Sequence, residues 1–365
     1  MNYKKKIITI IGARPQFIKA ALVSRELKKE KHIEEIIIHT GQHFDTNMSD
    51  IFFEELELEK PKYNLKINGG YHGEMTGKMM QELEPILLKE TPNAILLYGD
   101  TNSTLAGAIT GRKLNIPVFH VEAGLRNNDM TVPEDVNRIL TDRISTLLFC
   151  PTPIAIDNLI NEGFKKFDCQ LITTGDLMYD AALHFSRSNY KSEKIISIRP
   201  KYAYSLVTIH RSHNTDASGI FEVFGALNEI ALNKKLLFPI HPRTKKAIEE
   251  YNIKLHPNII LIEPQGYRSM IDLINGADEL ITDSGGIQKE AYALNKKALL
   301  LMNYTPWVEL VENGFSIVTE IKKEEILKQY CKLNKLNPDF SMKLYGNGNS
   351  SYIIVKSICE YLKNQ

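Results

Sequence analysis

The chain has 365 residues and a mass of 41.6 kDa, a length that predicts two domains. Hydrophobic residues make up 43% of it and charged residues 24%, close to the averages of soluble globular proteins, which excludes intrinsic disorder and fibrous repeats. With 45 Lys and Arg against 44 Asp and Glu, the net charge of +1 provides no bulk attraction to nucleic acid or to an anionic membrane.

The cysteines and the apolar segments indicate a protein of the reducing cytoplasm. The four cysteines, Cys150, Cys169, Cys331 and Cys359, form no CxxC pair. No stretch reaches the roughly 20 apolar residues that a membrane span needs, and the apolar run before Arg14 is short. We therefore predict a soluble, cytoplasmic protein.

Short apolar, β-branched runs alternate with helix-like segments along the chain. In chain order the predicted strands are KIITIIG, EEIIIHTG, AILLYGD and VFHVEAG, then YSLVTIHR, LLFPIHP, IILIEP, ELITDSGG and ALLLMN. The predicted helices are 17–30, 74–90, 101–114, 134–147, 219–233 and 351–363. Such runs suit the strands of a parallel sheet that is buried on both faces, so the alternation predicts an α/β fold.

A polar, irregular stretch at 184–203 interrupts the alternation, which starts again near residue 204. We therefore predict two doubly wound, Rossmann-like α/β domains, 1–175 and 176–350, with an interdomain cleft. The C-terminal helix, within 351–365, is expected to pack back on the first domain.

Residues that directly follow the predicted strands are the first candidates for chemistry, because doubly wound sheets bind ligands beyond the carboxyl ends of their strands. Three carboxylates, Asp100, Glu122 and Glu134, come from separate segments, and the first two follow apolar runs. Partial desolvation would suit them to proton transfer. The alternative is structural: they would cap helices, as Asp100 could at 101–114, or pair with Arg126 and Arg138.

Two cations flank the start of the first predicted helix. Arg14 and Lys19 could bind phosphate, Arg14 as a bidentate fork and Lys19 as a point charge. For Lys19 a solubilising surface role is equally open. An arginine before Pro15, at the end of a buried strand, favours function.

The turn Ser284-Gly285-Gly286 joins a predicted strand to a helix. It could offer backbone N–H groups and a helix N-terminus to a diphosphate, or it could be a tight structural turn. Glu290, near the next helical turn, could bond a ribose hydroxyl or simply be solvated. The spacing does not decide between these interpretations.

The histidines do not predict a metal site. His210 and His213 lie three residues apart, but a further carboxylate or cysteine ligand at suitable spacing is missing. His210 at a strand end suits proton transfer or phosphate contact, with a structural role as the alternative. Tyr267 is expected in the core or at its rim, and no basic and aromatic stripe indicates nucleic-acid binding.

Segments spread along nearly the whole chain resemble the non-hydrolysing UDP-N-acetylglucosamine 2-epimerase family. They are IGARPQFIKAA (11–21), HTGQHFDTNMSDIFFEEL (39–56), YGDTNSTLAGA (98–108), HVEAGLR (120–126), PEDVNRILTDRIS (133–145), LFCPT (148–152), TIHR (208–211), IHPRT (240–244) and TDSGGIQKEA (282–291). Within the family, GARPQFIK, GGYHGEMTGKMM, PQGYRSMIDL and WVELVENG are similar to the branch that epimerises UDP-2,3-diacetamido-2,3-dideoxyglucuronate.

The resemblance implies a GT-B-like pair of Rossmann-like domains, with UDP in the cleft and held chiefly by the second domain, and a homodimer. It also implies an isomerase that needs no cofactor and no metal. The carbon-2 proton is removed, UDP leaves carbon 1 to give a glycal, and UDP adds back while carbon 2 is reprotonated on the opposite face. This interconverts UDP-GlcNAc-type and UDP-ManNAc-type sugars for surface polysaccharide precursors.

The resemblance further implies roles for individual residues. Family acids and bases are matched by Asp100, Glu122, Glu134 and His210, and the catalytic arginine by Arg138. Residues at the diphosphate and sugar are matched by Arg14 and Lys19, phosphate and ribose contacts by Ser284, Gly285, Gly286 and Glu290, and the uracil position by Tyr267. Positions that bind a second UDP-sugar as an activator in some members are matched by Gln42, His43 and His241, and we also count His241 with the substrate-binding residues.

Three departures from the family pattern concern substrate and regulation. The usual HRxEN reads HRSHN at 210–214, RDxTEW reads MNYTPW at 302–307, and the loop after AGLR reads NNDMTVPED at 127–135. Three alternatives therefore stay open. They are a hydrolysing 2-epimerase that releases UDP and a free ManNAc-type sugar, a retaining glycosyltransferase, and a non-catalytic nucleotide-sugar-binding homologue.

Overall fold

The computed structural model describes residues 4–42, 53–187 and 203–365. The chain divides into two compact units, Met1–Ala181 with Tyr345–Gln365, and Ala182–Leu344. Within the described ranges, no helix is both long and apolar enough to cross a membrane.

The first unit is built on a seven-stranded parallel sheet of order β3-β2-β1-β4-β5-β6-β7. Its strands are β1 Lys5–Ile11, β2 Ile33–His39, β3 Tyr63–Asn64, β4 Ala94–Tyr98, β5 Val118–Val121, β6 Leu147–Cys150 and β7 Gln170–Thr173. β1 and β2 pair in register from Lys5 with Ile33 to Ile11 with His39. Buried isoleucines and leucines of β1, β2 and β4 form a core with Met79, Leu83 and Leu87 of a covering helix.

Seven α-helices of the described residues accompany these strands along the chain. They are Arg14–Leu27, His72–Glu90, Asn102–Lys113, Pro133–Ile144, Pro153–Asn161, Leu177–Arg187 and the C-terminal Ser350–Lys363. The C-terminal helix packs on the first unit, where the rings of Phe119 and Tyr361 meet edge to face with centroids 5.2 Å apart.

The second unit contains a six-stranded parallel sheet of order β10-β9-β8-β11-β12-β13. Its strands are β8 Tyr204–Thr208, β9 Lys235–Pro239, β10 Ile259–Ile262, β11 Glu279–Thr282, β12 Lys297–Leu300 and β13 Ser316–Val318. Its helices are Ser212–Thr215, Gly219–Ile230, Pro242–Glu250, Tyr267–Gly276, Ile287–Ala293, Val308–Glu312 and Lys323–Lys335. Val207, Phe224, Phe238 and Ile281 belong to its fully buried core.

Several element boundaries differ from those predicted. The first helix begins at Arg14 instead of residue 17, because Pro15 fits the first helical turn, where its missing N–H has no partner to lose. The fourth predicted helix, 134–147, ends at Ile144, since the short run from Leu147 already belongs to β6. The predicted irregular stretch 184–203 is wrong at 184–187, which continue the helix Leu177–Arg187; residues 188–202 lie outside the described ranges.

Both sheets have the strand order of a doubly wound Rossmann-like fold, which confirms the predicted α/β class. In each sheet the winding reverses beside the first strand, between β1 and β4 in the first unit and between β8 and β11 in the second. The residues that follow these four strands therefore occupy the positions where such sheets bind ligands.

Candidate active site

In the first unit, the connection from β1 to the helix Arg14–Leu27 comes very close to its neighbours. A Cβ atom at Gly12 would lie 2.0 Å from Thr40 Oγ1 and 2.3 Å from Ser103 Oγ, so only glycine fits there. Arg14 opens the helix and is half-buried. Arg14 therefore follows β1, which borders the winding reversal.

Gln16 holds that connection in place, and the sequence analysis assigned it no role. Its Oε1 accepts the backbone N–H groups of Gly12 at 2.7 Å and Ala13 at 3.0 Å. Its Nε2 donates to the carbonyl of Tyr98, the last residue of β4, at 2.7 Å. One buried amide thus ties the ends of β1 and β4 together. A glutamine near a helix start carries no distinctive sequence signal, so this contact could not be found by pattern.

Lys19, in the second turn of the helix Arg14–Leu27, forms an ion pair with Glu122, which directly follows β5. Lys19 is only 7% exposed, so the solubilising alternative for this residue is wrong. Glu122 has a φ of 74°, in the left-handed region that glutamate rarely adopts. Strain of this kind costs roughly 1–3 kcal/mol and is found mainly where function requires it. Both side chains line a small pocket with residues 174–177.

Asp100 follows β4 and pairs with Arg138 of the helix Pro133–Ile144. The capping alternative for Asp100 is wrong, because Thr101 is the N-cap and its Oγ1 accepts the Thr104 N–H at 3.3 Å. The ion-pair alternative is confirmed for Asp100 with Arg138. Arg138 is also held by the buried Asp135, at 3.1 Å.

Arg126 pairs with neither Asp100 nor Glu122. It contacts Asp142 at 2.8 Å and Glu162 at 2.7 Å instead, so that part of the structural alternative is wrong.

Glu134 is exposed in the first turn of the helix Pro133–Ile144. It precedes Arg138 by four residues, which places both on one face of that helix. Among the described residues, no hydrogen bond or ion pair joins its carboxylate to Asp100 or Glu122, so its catalytic role stays a prediction.

Gln42 contacts the first turn of the helix Asn102–Lys113, to which it does not belong. Its Oε1 accepts from Ser103, through the backbone N–H at 3.0 Å and the hydroxyl at 2.8 Å. Gln42 therefore has a structural role, and the predicted activator role stays a prediction. His43 lies outside the described residues.

In the second unit, His210 follows β8 and is positioned by Asp283, which follows β11. Asp283 is fully buried and accepts the backbone N–H groups of His210 at 2.9 Å and Arg211 at 2.8 Å. The His210 side chain remains 42% exposed, with its Nε2 3.6 Å from Asp283. No role for Asp283 was predicted from the sequence, because its contact with His210 depends on the pairing of two distant strands, β11 and β8.

The Ser284–Gly286 turn does not need its glycines for backbone geometry. Neither Gly285 nor Gly286 has a positive φ, and a Cβ added to either would meet nothing within 4 Å. Sterics inside the chain therefore do not explain these glycines, whereas an approaching ligand would. The turn is braced from one side by Trp307, whose indole N–H donates to the Gly285 carbonyl at 3.0 Å.

Three further predicted residues lie near these strand ends in different settings. Glu290 is buried in the helix that follows the turn. Tyr267 begins the helix Tyr267–Gly276, and its buried ring packs edge-on against Phe185 with centroids 5.7 Å apart. This agrees with the prediction that Tyr267 lies in the core or at its rim. His241 caps the helix Pro242–Glu250, and its Nδ1 accepts the Arg243 backbone N–H at 3.2 Å. Burial lowers the pKa of His241 below its usual range, and the nearby charges of His210 and Arg243 lower it further.

The family model described as UDP-N-acetylglucosamine 2-epimerase matches residues 25–359. The chain belongs to this family.

Relatives of the family align over nearly the full length. A UDP-2,3-diacetamido-2,3-dideoxy-D-glucuronate 2-epimerase of Pseudomonas aeruginosa is 46% identical, over 98% of this chain and 99% of the relative. A UDP-N-acetylglucosamine 2-epimerase homolog of Methanococcus maripaludis is 48% identical, over 96% of this chain and 98% of the relative. The crystal structure of Methanocaldococcus jannaschii UDP-GlcNAc 2-epimerase in complex with UDP-GlcNAc and UDP is 41% identical, covers 98% and 99% of the two chains, and superposes with a TM-score of 0.83. These relatives are isomerases, as predicted for this chain.

Proposed function

We propose that this chain inverts carbon 2 of a UDP-linked 2-acetamido sugar, interconverting gluco and manno forms. The substrate is UDP-N-acetylglucosamine or its 2,3-diacetamido uronate relative, the two substrates that occur in the names of full-length relatives. The observation that carries the proposal is the pairing of two carboxylates with two cations, Glu122 with Lys19 and Asp100 with Arg138, beyond the adjacent strands β5 and β4, of which β4 borders the winding reversal of the first sheet.

Inversion at carbon 2 requires a proton to leave one face and another to arrive on the opposite face. Two separate carboxylates meet that requirement, since each can hold or release a proton on its own face. UDP leaves carbon 1 as the proton leaves carbon 2, and a glycal forms. The reverse addition restores the UDP link, so the oxidation state of the sugar is unchanged and no redox cofactor takes part.

The leaving diphosphate must be held so that it can add back. Arg14 in the first unit, and Ser284, Gly285 and Gly286 in the second, are assigned to this task. Support comes from the open space above both glycines and from backbone N–H groups at the start of a helix, which suit a phosphate. Glu290 is assigned to the ribose, Tyr267 to the uracil, His210 and Glu134 to proton transfer, and His241 to the substrate.

The first experiment is proton NMR in heavy water with UDP-N-acetylglucosamine and, separately, with the diacetamido uronate, each with and without a trace of the other sugar. Deuterium at carbon 2 of a UDP-linked manno product is expected for one of them. A stimulating effect of the trace sugar would support the activator role of Gln42, His43 and His241. Free sugar with UDP would instead indicate the hydrolysing alternative.

Two conservative variants test the assignment of the acids and bases. Asp100→Asn and Glu122→Gln should lower carbon-2 exchange by at least about 100-fold while UDP binding, measured by calorimetry, changes little. Glu74→Gln is the matched control, because Glu74 is an exposed carboxylate that pairs with Lys78, four residues on in the same helix. Near-normal exchange in both variants would remove the assignment.

The remaining alternatives have their own signatures. UDP binding without turnover of either sugar would favour a binding protein, and turnover that depends on an added acceptor would favour a glycosyltransferase. The proposal includes a homodimer, to be tested by light scattering, and a cytoplasmic location. For the location, support comes from the four cysteines, all of which are free.

A further inference from the structure

His120 is a fully buried histidine in β5, two residues before Glu122. Its Nε2 lies 2.7 Å from the Gly99 carbonyl, and its Nδ1 lies 2.7 Å from Asp142 Oδ1. Both partners are acceptors. The function described above uses neither His120 nor Asp142.

The partners of the two ring nitrogens indicate which of them carry a proton. The Gly99 carbonyl can only accept, so Nε2 bears a proton. Asp142 Oδ2 already accepts the Gly124 N–H at 3.0 Å and the Arg126 guanidinium at 2.8 Å, which stabilise the ionised carboxylate. Nδ1 therefore also faces an acceptor, so the ring lies between two acceptor groups, an arrangement that suits donation from both ring nitrogens.

The pair contacts the backbone beside both candidate catalytic carboxylates. The Gly99 carbonyl belongs to the peptide that leads into Asp100, so the bond from His120 sets the plane of that peptide. Gly99 has a φ of 64°, and its N–H donates to the Val121 carbonyl at 2.9 Å. A Cβ at Gly99 would lie 3.6 Å from Glu122 Oε2, so this peptide also borders the second carboxylate.

On the other side of the ring, Asp142 holds the turn that follows Glu122. The Gly124 N–H bonded to Asp142 lies two residues beyond Glu122, whose left-handed φ needs support from its surroundings. Arg126 and Glu162 complete the chain of charges, with Arg126 Nε 2.7 Å from Glu162. One buried ion pair thus connects the Asp100 and Glu122 segments.

We propose that His120, held as an imidazolium by Asp142, is a positioning residue that sets Asp100 and Glu122 for proton transfer at carbon 2. This rests on the proposed epimerase function. His120 is fully buried, so it acts through Asp100 and Glu122 and not by contact with the sugar.

Steady-state kinetics of His120→Ala and His120→Gln test the proposal. His120→Ala should lower kcat about 100-fold, with KM and the UDP dissociation constant within about threefold of wild type. His120→Gln places an amide N–H near the position of Nε2, retains the bond to Gly99, and should recover at least about tenfold of that loss. Thr110→Val is the control, because it removes one buried hydrogen bond, 2.8 Å to Ala106, elsewhere in the same unit.

Nitrogen-15 NMR of the histidine rings supplies a readout that does not depend on turnover. Wild type should show a ring with both nitrogens protonated at neutral pH, and this signal should be absent in His120→Gln. Protonation of only one ring nitrogen would overturn the imidazolium assignment.

The kinetic outcomes separate the two proposals. A His120→Ala enzyme with kcat within about threefold of wild type would overturn the positioning role. The positioning role would also be overturned if both His120 variants lost kcat and UDP affinity equally and Thr110→Val showed losses of the same size. Wild type that shows no carbon-2 exchange would contradict the proposed function instead, and the NMR arm would still decide the state of His120.

Discussion

Asp283 and His210 lie 73 residues apart, and the buried Asp283 carboxylate accepts the His210 backbone N–H through both of its oxygens, at 3.0 and 2.9 Å. The two residues follow neighbouring parallel strands, β11 and β8, at the point where the winding of the second sheet reverses. Asp283 therefore sets the start of the segment that carries His210. Because the same residue precedes Ser284, it also joins this segment to the proposed phosphate turn.

Replacing Asp283 by asparagine should destabilise the second unit and weaken UDP binding. The side-chain amide of the Asp283→Asn variant would place an N–H₂ donor against the backbone N–H groups of His210 and Arg211, which now donate to the Asp283 carboxylate. A buried donor without an acceptor costs about 1–3 kcal/mol. We expect a loss of this size in the free energy of unfolding, measured with urea. Asp278→Asn is the control, since Asp278 is 45% exposed and pairs with Lys234. Equal losses in the two variants would contradict the role of Asp283.

Ser284→Ala should affect binding and leave stability unchanged. Within the described part of the chain, Ser284 bonds through its backbone: its N–H donates to Thr282 Oγ1 at 2.9 Å and its carbonyl accepts from Gln288 Nε2 at 3.3 Å. Loss of the hydroxyl is therefore expected to weaken UDP binding by about 1–3 kcal/mol if it contacts a phosphate. Calorimetric titration with UDP is the measurement, and unchanged affinity would reduce the serine to a structural feature.

Gly285→Ala distinguishes a phosphate turn from a structural one. The added methyl group meets no protein atom within 4 Å, so the free energy of unfolding should change by less than about 1 kcal/mol. UDP affinity should fall at least about tenfold, because the methyl group occupies the space from which a phosphate reaches the backbone N–H groups.

Gly77→Ala is the matched control for Gly285→Ala. Gly77 lies in the helix His72–Glu90 of the first unit, and its Cβ position is equally open. This change should raise helix stability by up to about 1 kcal/mol and leave UDP affinity unaltered. Unchanged UDP affinity in Gly285→Ala as well would refute the phosphate assignment.

The stability of the first unit should fall as pH rises through the titration of Asp180. Burial raises the pKa of Asp180 from 3.8 to about 6, outweighing the Ser350 N–H that donates to its carboxylate at 2.5 Å. Because the folded protein holds this proton more tightly than the unfolded chain does, the stabilisation is fully present below pH 3.8 and is lost as the pH rises through about 6. Over that window the free energy of unfolding should fall by up to about 3 kcal/mol.

Asp180→Asn removes this titration while keeping an oxygen that can accept from Ser350. Urea unfolding at pH 4 and pH 7 should therefore shift in favour of the variant by up to about 3 kcal/mol at the higher pH. Asp157→Asn, at an exposed carboxylate of the same unit, should change stability by less than about 0.5 kcal/mol at either pH. A pH-independent difference for Asp180→Asn would contradict the prediction.

Elements with a strong local pattern could be predicted from the sequence, and elements without one could not. The β-branched run of β1 and the leucines of β4 were found because a strand buried on both faces is apolar throughout. No glycine or proline separates the four residues of β6 from the preceding helix, so the sequence pattern predicted a helix that continued to residue 147 and no strand after it. The amphipathic edge strand β7 was missed for the same lack of a local signal.

The candidate residues at the strand ends followed from the fold class alone, but their partners did not. Asp100, Glu122, His210 and the Ser284–Gly286 turn lie beyond parallel strands, where the sequence analysis placed them. The pairing of Lys19 with Glu122 spans 103 residues. His120 also stands at the end of a predicted strand, but nothing local indicates its partner Asp142, and Gln16 resembles any polar residue of a helix.

The amino-acid sequence by itself determined the alternation of strands and helices, the family, and which residue types stand at the strand ends, because hydrophobic periodicity and motif spacing are local properties of the chain. Only the tertiary structure decided which carboxylate meets which cation, that Asp142 and His120 connect the Asp100 and Glu122 segments, and that Asp283 holds His210. Those relationships depend on distances in space between residues far apart in the chain, and parallel strand pairing sets these distances.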